Sequence, residues 1–357
     1  MSKGRSPRVA IVLFSLGAPD RPEAVAPFLR NLFSDPAILR VPGWLRPGLA
    51  RFIAWRRTAP ATENYRRLGG GSPLLALTEA QGRALEAALP DLEARCFVAM
   101  RYWHPFAGET ARAVAAWAPD EVVLLPLYPQ FSTTTTASSL ADWNRAAEEA
   151  GLSAPARALC CWADDPAFLD ASAALVRDSW EQARAALPAG TKLRVLFSAH
   201  GLPQSIVAAG DPYQAQILRY AAALATRMGE AGQDSAVCYQ SRATPQKWLE
   251  PALGAELARA AREKVAVLVV PVSFVSEHSE TLVELDIEYH EQAMRLGLPC
   301  YFRVPAQGTD PGFIAALADL VRTLRAGPPE PLSSAGPGCA ALDCAALAGC
   351  PLCKETP

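Results

Sequence analysis

The sequence lacks a strong charge of either sign: over 357 residues its formal net charge is only −2. No overall field draws the chain to nucleic acid, so an anionic partner has to be met by local arginines. It also lacks any apolar run approaching the ~20 residues of a membrane span. The glycine-rich stretch YRRLGGGSPL (65–74) has no adjoining lysine and serine/threonine pair and follows no clear strand. A nucleotide-phosphate role is therefore rejected, and a tight backbone turn is expected. A disulfide spacing is missing too. Of nine cysteines, Cys96, Cys160, Cys161, Cys238 and Cys300 fall in expected core, and the other four crowd into 339–353. An odd total with buried thiols fits a reducing compartment. Lys3, Arg5 and Arg8 precede an apolar run as in a secretion signal, but that run is short and passes into Gly17-Ala18-Pro19-Asp20 without a small-residue cleavage site. A first β-strand and a cytoplasmic location are the expectation.

What is present is a globular composition, 50% hydrophobic and 20% charged, in a chain long enough for two domains. Uninterrupted β-branched and leucine-rich runs at 193–200 and 265–274 read as strands buried on both faces of a parallel sheet, and apolar runs at 8–20, 96–102, 121–130 and 236–242, with further strands near 155 and 298, read the same way. Helical periodicity fills the gaps, at 22–33, 76–88, 108–118, 137–150, 166–186, 214–228, 251–262, 279–295 and 311–326. Alternation of this kind means βαβ units. The fold class is α/β: two Rossmann-like, doubly wound parallel-sheet domains facing across a cleft. We divide the chain into 1–160, 161–308, a helix at 309–326 that returns to the first domain, and a Cys-rich tail at 327–357.

One interruption lies between 34 and 75, with an insertion at 34–57. There Trp44, Leu45, Leu49, Phe52, Ile53 and Trp55 alternate with Arg46, Arg51, Arg56 and Arg57. Pro42 and Pro47 are expected to keep its first half from forming a regular helix. Such a segment can rest among anionic headgroups, form a lip over an apolar ligand, or be a loop with its own small core.

Two strand ends carry the chemistry. A histidine on an apolar strand is more often a satisfied core residue than a catalyst, but His200 is followed at once by Gly201 and Pro203, which turn the chain and expose the ring. The second run ends in His278, with Glu277, Glu280, Glu284 and Glu288 at spacings of three and four. Glutamate stripes are usually solvated faces. This one begins beside Phe274 at a strand end, where crowded carboxylates make at least one hold a proton more readily and can attract a divalent cation. Leu282, Leu285 and Tyr289 are expected on the packed face. Asp211, in GDPY (210–213), reads as a helix cap.

Taken together, the motifs LFSLGAPD (13–20), YRRLGGGSPL (65–74), MRYWHP (100–105), PLYPQFS (126–132), FSAHGLP (197–203), GDPY (210–213), YQSRATPQKWLEP (239–251) and PVSFVSEHSETLVELDIEY (271–289) closely resemble the ferrochelatase family. The likeness runs from residue 8 to about 326. It implies insertion of Fe²⁺ into protoporphyrin IX with release of two protons, the last step of haem synthesis, on two Rossmann-like domains that hold the porphyrin between them. It places the catalytic histidine at His200, the catalytic carboxylate at Glu280, and an acidic metal path at Glu277, His278 and Glu284. Leu16, Trp248 and Phe274 fall on pocket positions. Arg57, Tyr65, Ser72, Arg101 and Tyr102 fall near the propionates or in the polar network of the cleft. The 34–57 insertion corresponds to a lip through which family members touch the inner membrane, so peripheral membrane association is expected. Ser15, Ala18 and Ala243-Thr244 depart from the family pattern beside the pocket and bear on substrate fit, not on the reaction.

Cys339, Cys344, Cys350 and Cys353 are dense enough to bind a metal cluster. Some ferrochelatases hold a [2Fe–2S] cluster with C-terminal cysteines and one internal cysteine. The animal position of that internal ligand is Thr133 here, leaving Cys160 or Cys161 with three tail thiols, or the four tail thiols alone. Coproporphyrin III, another tetrapyrrole and metal, or a non-catalytic porphyrin carrier are the competing readings; the lip and the tail lean towards protoporphyrin. The same lip and tail are compatible with a homodimer.

Overall fold

A computed structural model of the protein describes residues 6–242 and 246–326. The four tail cysteines and Ala243-Thr244 lie outside the described residues. In chain order the first half contains β1 (Arg8–Ser15), α1 (Val25–Ser34), α2 (Arg46–Arg67), α3 (Leu74–Ala87), β2 (Glu93–Met100), α4 (Ala107–Trp117), β3 (Glu121–Pro126), α5 (Thr136–Glu149) and β4 (Ala156–Ala158). After α6 (Pro166–Ala186) come β5 (Leu193–His200), α7 (Gln204–Ala208), α8 (Tyr213–Met228), β6 (Ser235–Gln240), α9 (Leu253–Glu263) and β7 (Ala266–Pro271). A π-helix (Glu280–Tyr289), α10 (His290–Arg295), β8 (Tyr301–Arg303) and α11 (Pro311–Ala326) complete the order.

The strands form two four-stranded parallel sheets, β2-β1-β3-β4 and β6-β5-β7-β8, which repeat one topology. In each the order reverses beside the first strand, and open α/β sheets bind ligands in the crevice beyond the carboxyl ends at such a point. β1 and β5 are buried along their lengths because both faces are covered, as their unbroken apolar runs require.

The strand side chains sort into three interiors. Val9, Ile11 and Leu13 of β1 share one core with Val195, Phe197 and Ala199 of β5, together with Phe168 of α6 and Phe313 of α11. Ala10, Val12 and Phe14 turn the other way, onto Trp143 of α5. Leu196, Val267 and Val269 pack on Leu253 and Leu257 of α9. Each large apolar side chain withdrawn in this way contributes about 2 kcal/mol. Across the shared interior, Gln81 of α3 donates to the carbonyls of Val275 (2.8 Å) and Gly308 (2.9 Å) and accepts from Ser276 Oγ (2.9 Å).

The insertion is more helical than its prolines suggest. Pro47 sits in the first turn of α2, where its missing N–H costs nothing, and Pro60 lies inside the helix. Helix α2 packs on α1 through Ala50, Ala54 and Tyr65 against Val25, Leu29 and Phe33, a small core of its own. Phe52 (55%) and Trp55 (71%) on its outer side, with Trp44 (81%) just ahead of the helix, are the most exposed large aromatics among the described residues.

Candidate active site

β5 delivers His200 to its carboxyl end, and Gly201 then turns the chain. A Cβ on Gly201 would lie 2.7 Å from the carbonyl oxygen of Gln240, so only glycine lets β5 and β6 close here. Its N–H donates to that same oxygen at 2.8 Å. The ring is fixed from both backbone sides: Ser273 Oγ accepts from His200 N at 2.9 Å, and Tyr213 donates its hydroxyl to the His200 carbonyl at 3.0 Å.

Glu280 enters from the first turn of the π-helix, and its Oε2 is 2.7 Å from His200 Nδ1. The Glu280 and His200 side chains remain 27% and 35% exposed, so the pair is in reach of solvent instead of being sealed in the core. Burial opposes charge on both groups, but each stabilises the other's ionised form: the His200 pKa is raised, and that of Glu280 falls to about 2. The adjoining carboxylate behaves oppositely. Burial and the negative charge of Glu280 push Glu284 up to about 7. Crowding on the acidic row thus produces one firmly ionised and one easily protonated carboxyl.

The row is not a single stripe. Glu277 precedes the helix, where Arg303 Nη1 (2.8 Å) and Ala306 N (2.9 Å) donate to its Oε1. Arg303 also grips Asp286 through Nε at 2.5 Å and Nη2 at 2.6 Å. His278 sits with its ring 4.4 Å from that of Phe274, and burial lowers its pKa. Among the described residues, His278 Nδ1 and Glu277 Oε2 are buried with no hydrogen-bond partner. The packed residues also differ from those expected: Thr281, Val283 and Leu285 are buried, whereas Leu282 and Tyr289 are only partly so.

Phe274 stands edge-on to His200, with ring centroids 6.4 Å apart. Trp248 lies on the other side, its ring within reach of Gly201 and its carbonyl accepting from Gln204 Nε2 at 3.1 Å. Tyr65 comes from the end of α2; its hydroxyl meets Ser279 and the field of Glu280, and burial pushes it up to about 12. Leu16 accepts from Tyr102 N at 2.9 Å, and Ser72 Oγ accepts from Leu74 N at 3.3 Å. A Cβ on Gly71, beside Ser72, would lie 2.2 Å from the carbonyl oxygen of Asp20, which explains the glycine-rich turn.

Three candidates are engaged elsewhere. Arg101 pairs with Asp35 at 2.8 Å and with Ser138 at 2.8 Å, and Tyr102 donates its hydroxyl to Asp35 at 2.8 Å. Arg57 lies 6.0 Å from the Phe33 ring on the α1–α2 face. None of the three shares a contact with His200 or Glu280 among the described residues. Asp211 does more than cap: its Oδ2 accepts from Ser132 Oγ (2.9 Å), Thr133 N (2.7 Å) and Thr133 Oγ1 (2.7 Å), tying α8 to the first sheet.

The residues that sequence reasoning passed over are Ser241, Gln240 and Ser273. Gln240 closes β6, and Ser241 and Ser273 follow strand ends; YQSR is among the quoted motifs, but what no spacing announces is that Ser241 has a positive φ of 64°. As for a cluster, Cys160 and Cys161 are 0% and 2% exposed, and among the described residues no three Cys, His, Asp or Glu gather to hold a metal.

Comparison with known proteins follows the same outline. The ferrochelatase family profile matches residues 8–324. The chain is 54% identical to the ferrochelatase of Phenylobacterium zucineum (strain HLK1) over 316 residues, covering 87% of this chain and 90% of that one. It is 51% identical to the ferrochelatase of Caulobacter vibrioides (strain NA1000 / CB15N) over 332 residues, 92% and 93% of the two. Among solved structures, SirB from Bacillus subtilis with Fe³⁺ aligns at a TM-score of 0.51 and 12% identity over 89% of this chain and 95% of that one, a likeness of fold. With the match running through both sheets and relatives half identical along them, the chain belongs to the ferrochelatase family, the enzymes that insert iron into a porphyrin to complete haem synthesis.

Proposed function

We propose that this enzyme inserts Fe²⁺ into protoporphyrin IX, and that His200 and Glu280 take up the two pyrrole protons that leave. The observation that supports this assignment is the 2.7 Å contact between Nδ1 and Oε2 at the point where the second sheet reverses its order. An imidazole held by a carboxylate is a proton acceptor of the right strength, and a part-exposed pair can meet a ligand in the cleft. Phe274, Trp248 and Leu16 supply apolar surface that grips and bends the macrocycle, while Tyr65 and Ser72 meet its carboxylates and Arg57, beside the Phe33 ring, supports the α1–α2 face. Binding energy from ring faces and propionates offsets the cost of distortion. Arg101 and Tyr102 act at one remove, by fixing Asp35.

Glu284 and His278 continue the polar route beyond the pair, and Glu277 anchors its entrance through Arg303. Residues 1–160 and 161–308 serve as the two walls, with 309–326 bracing the first and 327–357 appended. The exposed Trp44, Phe52 and Trp55, interleaved with Arg46, Arg51 and Arg56, suit a peripheral seat on the inner membrane; among the described residues no helix is long and apolar enough to cross one. We assign a [2Fe–2S] cluster to the four tail thiols, because burial of Cys160 and Cys161 disfavours the mixed set. The same outward surface and tail can support a homodimer.

Anaerobic assay of Fe²⁺ insertion into protoporphyrin IX and coproporphyrin III, with His200→Ala alongside, tests the reading. Preference for coproporphyrin III would replace the substrate, and turnover by the variant would remove the histidine.

A further inference from the structure

Ser241 follows β6 directly and occupies the left-handed region, with φ at 64°, where non-glycine residues are uncommon. That conformation aims two of its groups at the acidic row. Its N–H donates to Glu284 Oε1 at 2.8 Å, and its hydroxyl donates to Glu284 Oε2. The same Oγ stands 3.3 Å from Glu280 Oε2, the oxygen that meets His200 Nδ1 at 2.7 Å. Gln240 reinforces the arrangement: Ser198 Oγ donates to its Oε1 at 2.7 Å, and its Nε2 reaches Glu284 Oε2 at 3.4 Å and the Glu280 carbonyl at 3.3 Å. An unbroken line therefore runs from His200 Nδ1 through Glu280 Oε2 and Ser241 Oγ to Glu284 Oε2.

We infer that Ser241 is a further positioning residue for iron insertion, which sets Glu284 against Glu280 and provides the hydroxyl through which a proton leaves the His200–Glu280 pair. This rests on the assignment of that pair as the acceptor of pyrrole protons. The transfer balances without any other reactant. Oγ accepts the proton carried on Glu280 Oε2 and releases its own hydrogen to Glu284 Oε2; Glu280 returns to a carboxylate, Glu284 becomes a neutral acid, and the serine is unchanged. Glu288, four positions further along the helix, is exposed. A residue that merely shaped the loop would need neither the hydroxyl nor its contact with both carboxyls.

The test compares Ser241→Gly and Ser241→Ala with the wild-type enzyme in Fe²⁺ insertion, measured in H₂O and D₂O. Glycine adopts this φ without strain and keeps the N–H bond to Glu284, so it separates the hydroxyl from the fold. The expected result for both variants is a kcat lower by about tenfold or more, a KM for porphyrin within about twofold of wild type, and a larger solvent isotope effect as proton departure becomes slower. Wild-type kcat in Ser241→Gly, or a lower kcat with an unaltered isotope effect, overturns the inference. His200→Ala runs in the same series. If it is inactive while Ser241→Gly is normal, only this inference falls; if it too is normal, the assignment of the acceptor pair falls with it.

Discussion

Glu280 and Glu284 are separated by four residues of one helix, yet one is held down at about 2 and the other pushed up to about 7. Their difference comes from neighbours: His200 faces the first, and the charge of the first faces the second. A site that must accept protons in succession gains from holding two carboxyls that titrate so far apart.

The pH dependence should carry that signature. As pH rises through about 7, Glu284 ionises and can receive a proton, so kcat for iron insertion is expected to rise there. Glu284→Gln should flatten this limb. An unaltered limb in the variant assigns it to another group. Glu280 works in the opposite direction on stability: its lowered pKa stabilises the fold above its ordinary 4.5, a contribution lost as pH falls towards about 2. Acid unfolding of Glu280→Gln should therefore be less steep across that window.

His200→Ala and Glu280→Gln should each reduce iron insertion by at least about a hundredfold. Porphyrin binding, followed by quenching of tryptophan fluorescence, should stay close to wild type. Turnover near the normal rate in either variant would contradict the assignment.

Arg303 joins Glu277 to Asp286 from a largely buried position, with 11% of its side chain exposed. Arg303→Met leaves two carboxylates without their cation and should lower stability by about 3 kcal/mol in urea unfolding. Restoration of wild-type stability by adding Glu277→Gln and Asp286→Asn would show that unpaired charge is the cause.

The outer side of α2 should govern attachment to lipid. Trp44→Ser with Trp55→Ser is expected to weaken co-sedimentation with anionic vesicles by about tenfold or more, with the activity on detergent-dispersed porphyrin retained. Equal sedimentation would place the lipid contact elsewhere.

Cys350→Ser or Cys353→Ser should bleach the visible absorption of protein purified without oxygen, whereas Cys160→Ala and Cys161→Ala should leave it. Bleaching by Cys161→Ala would instead restore the mixed ligand set.

Much of this was legible in the chain itself, for physical reasons. Unbroken β-branched apolar runs suit strands covered on both faces, and Gly201 and Pro203 turn the chain directly after His200 and so mark a strand's end. The α2 helix was harder, because Pro47 is read as a breaker although a first-turn position suits it, and Pro60 is tolerated within the helix. The spacing of the acidic row suggests one continuous α-helix, but Glu277 stands ahead of a π-helix that begins at Glu280; Glu277 therefore meets an arginine and Glu284 a serine. For Arg101 the resemblance gives a place near the propionates or in a polar network but no partner, and its partner Asp35 lies 66 residues away. Partners that distant leave no trace in local pattern.

The interior common to β1 and β5 has one more bearing, on how a flat tetrapyrrole gets in and out. The two sheets cannot gape like a clamshell without wetting Val9, Ile11, Val195 and Phe197, so the jaws are in effect welded at the back. Admission would then fall to the rim, where α2 carries Tyr65 in its last turn and Trp55 bare at its middle, with Trp44 bare just ahead of it: a doorman with one hand on the reaction chamber and its back to the oily street.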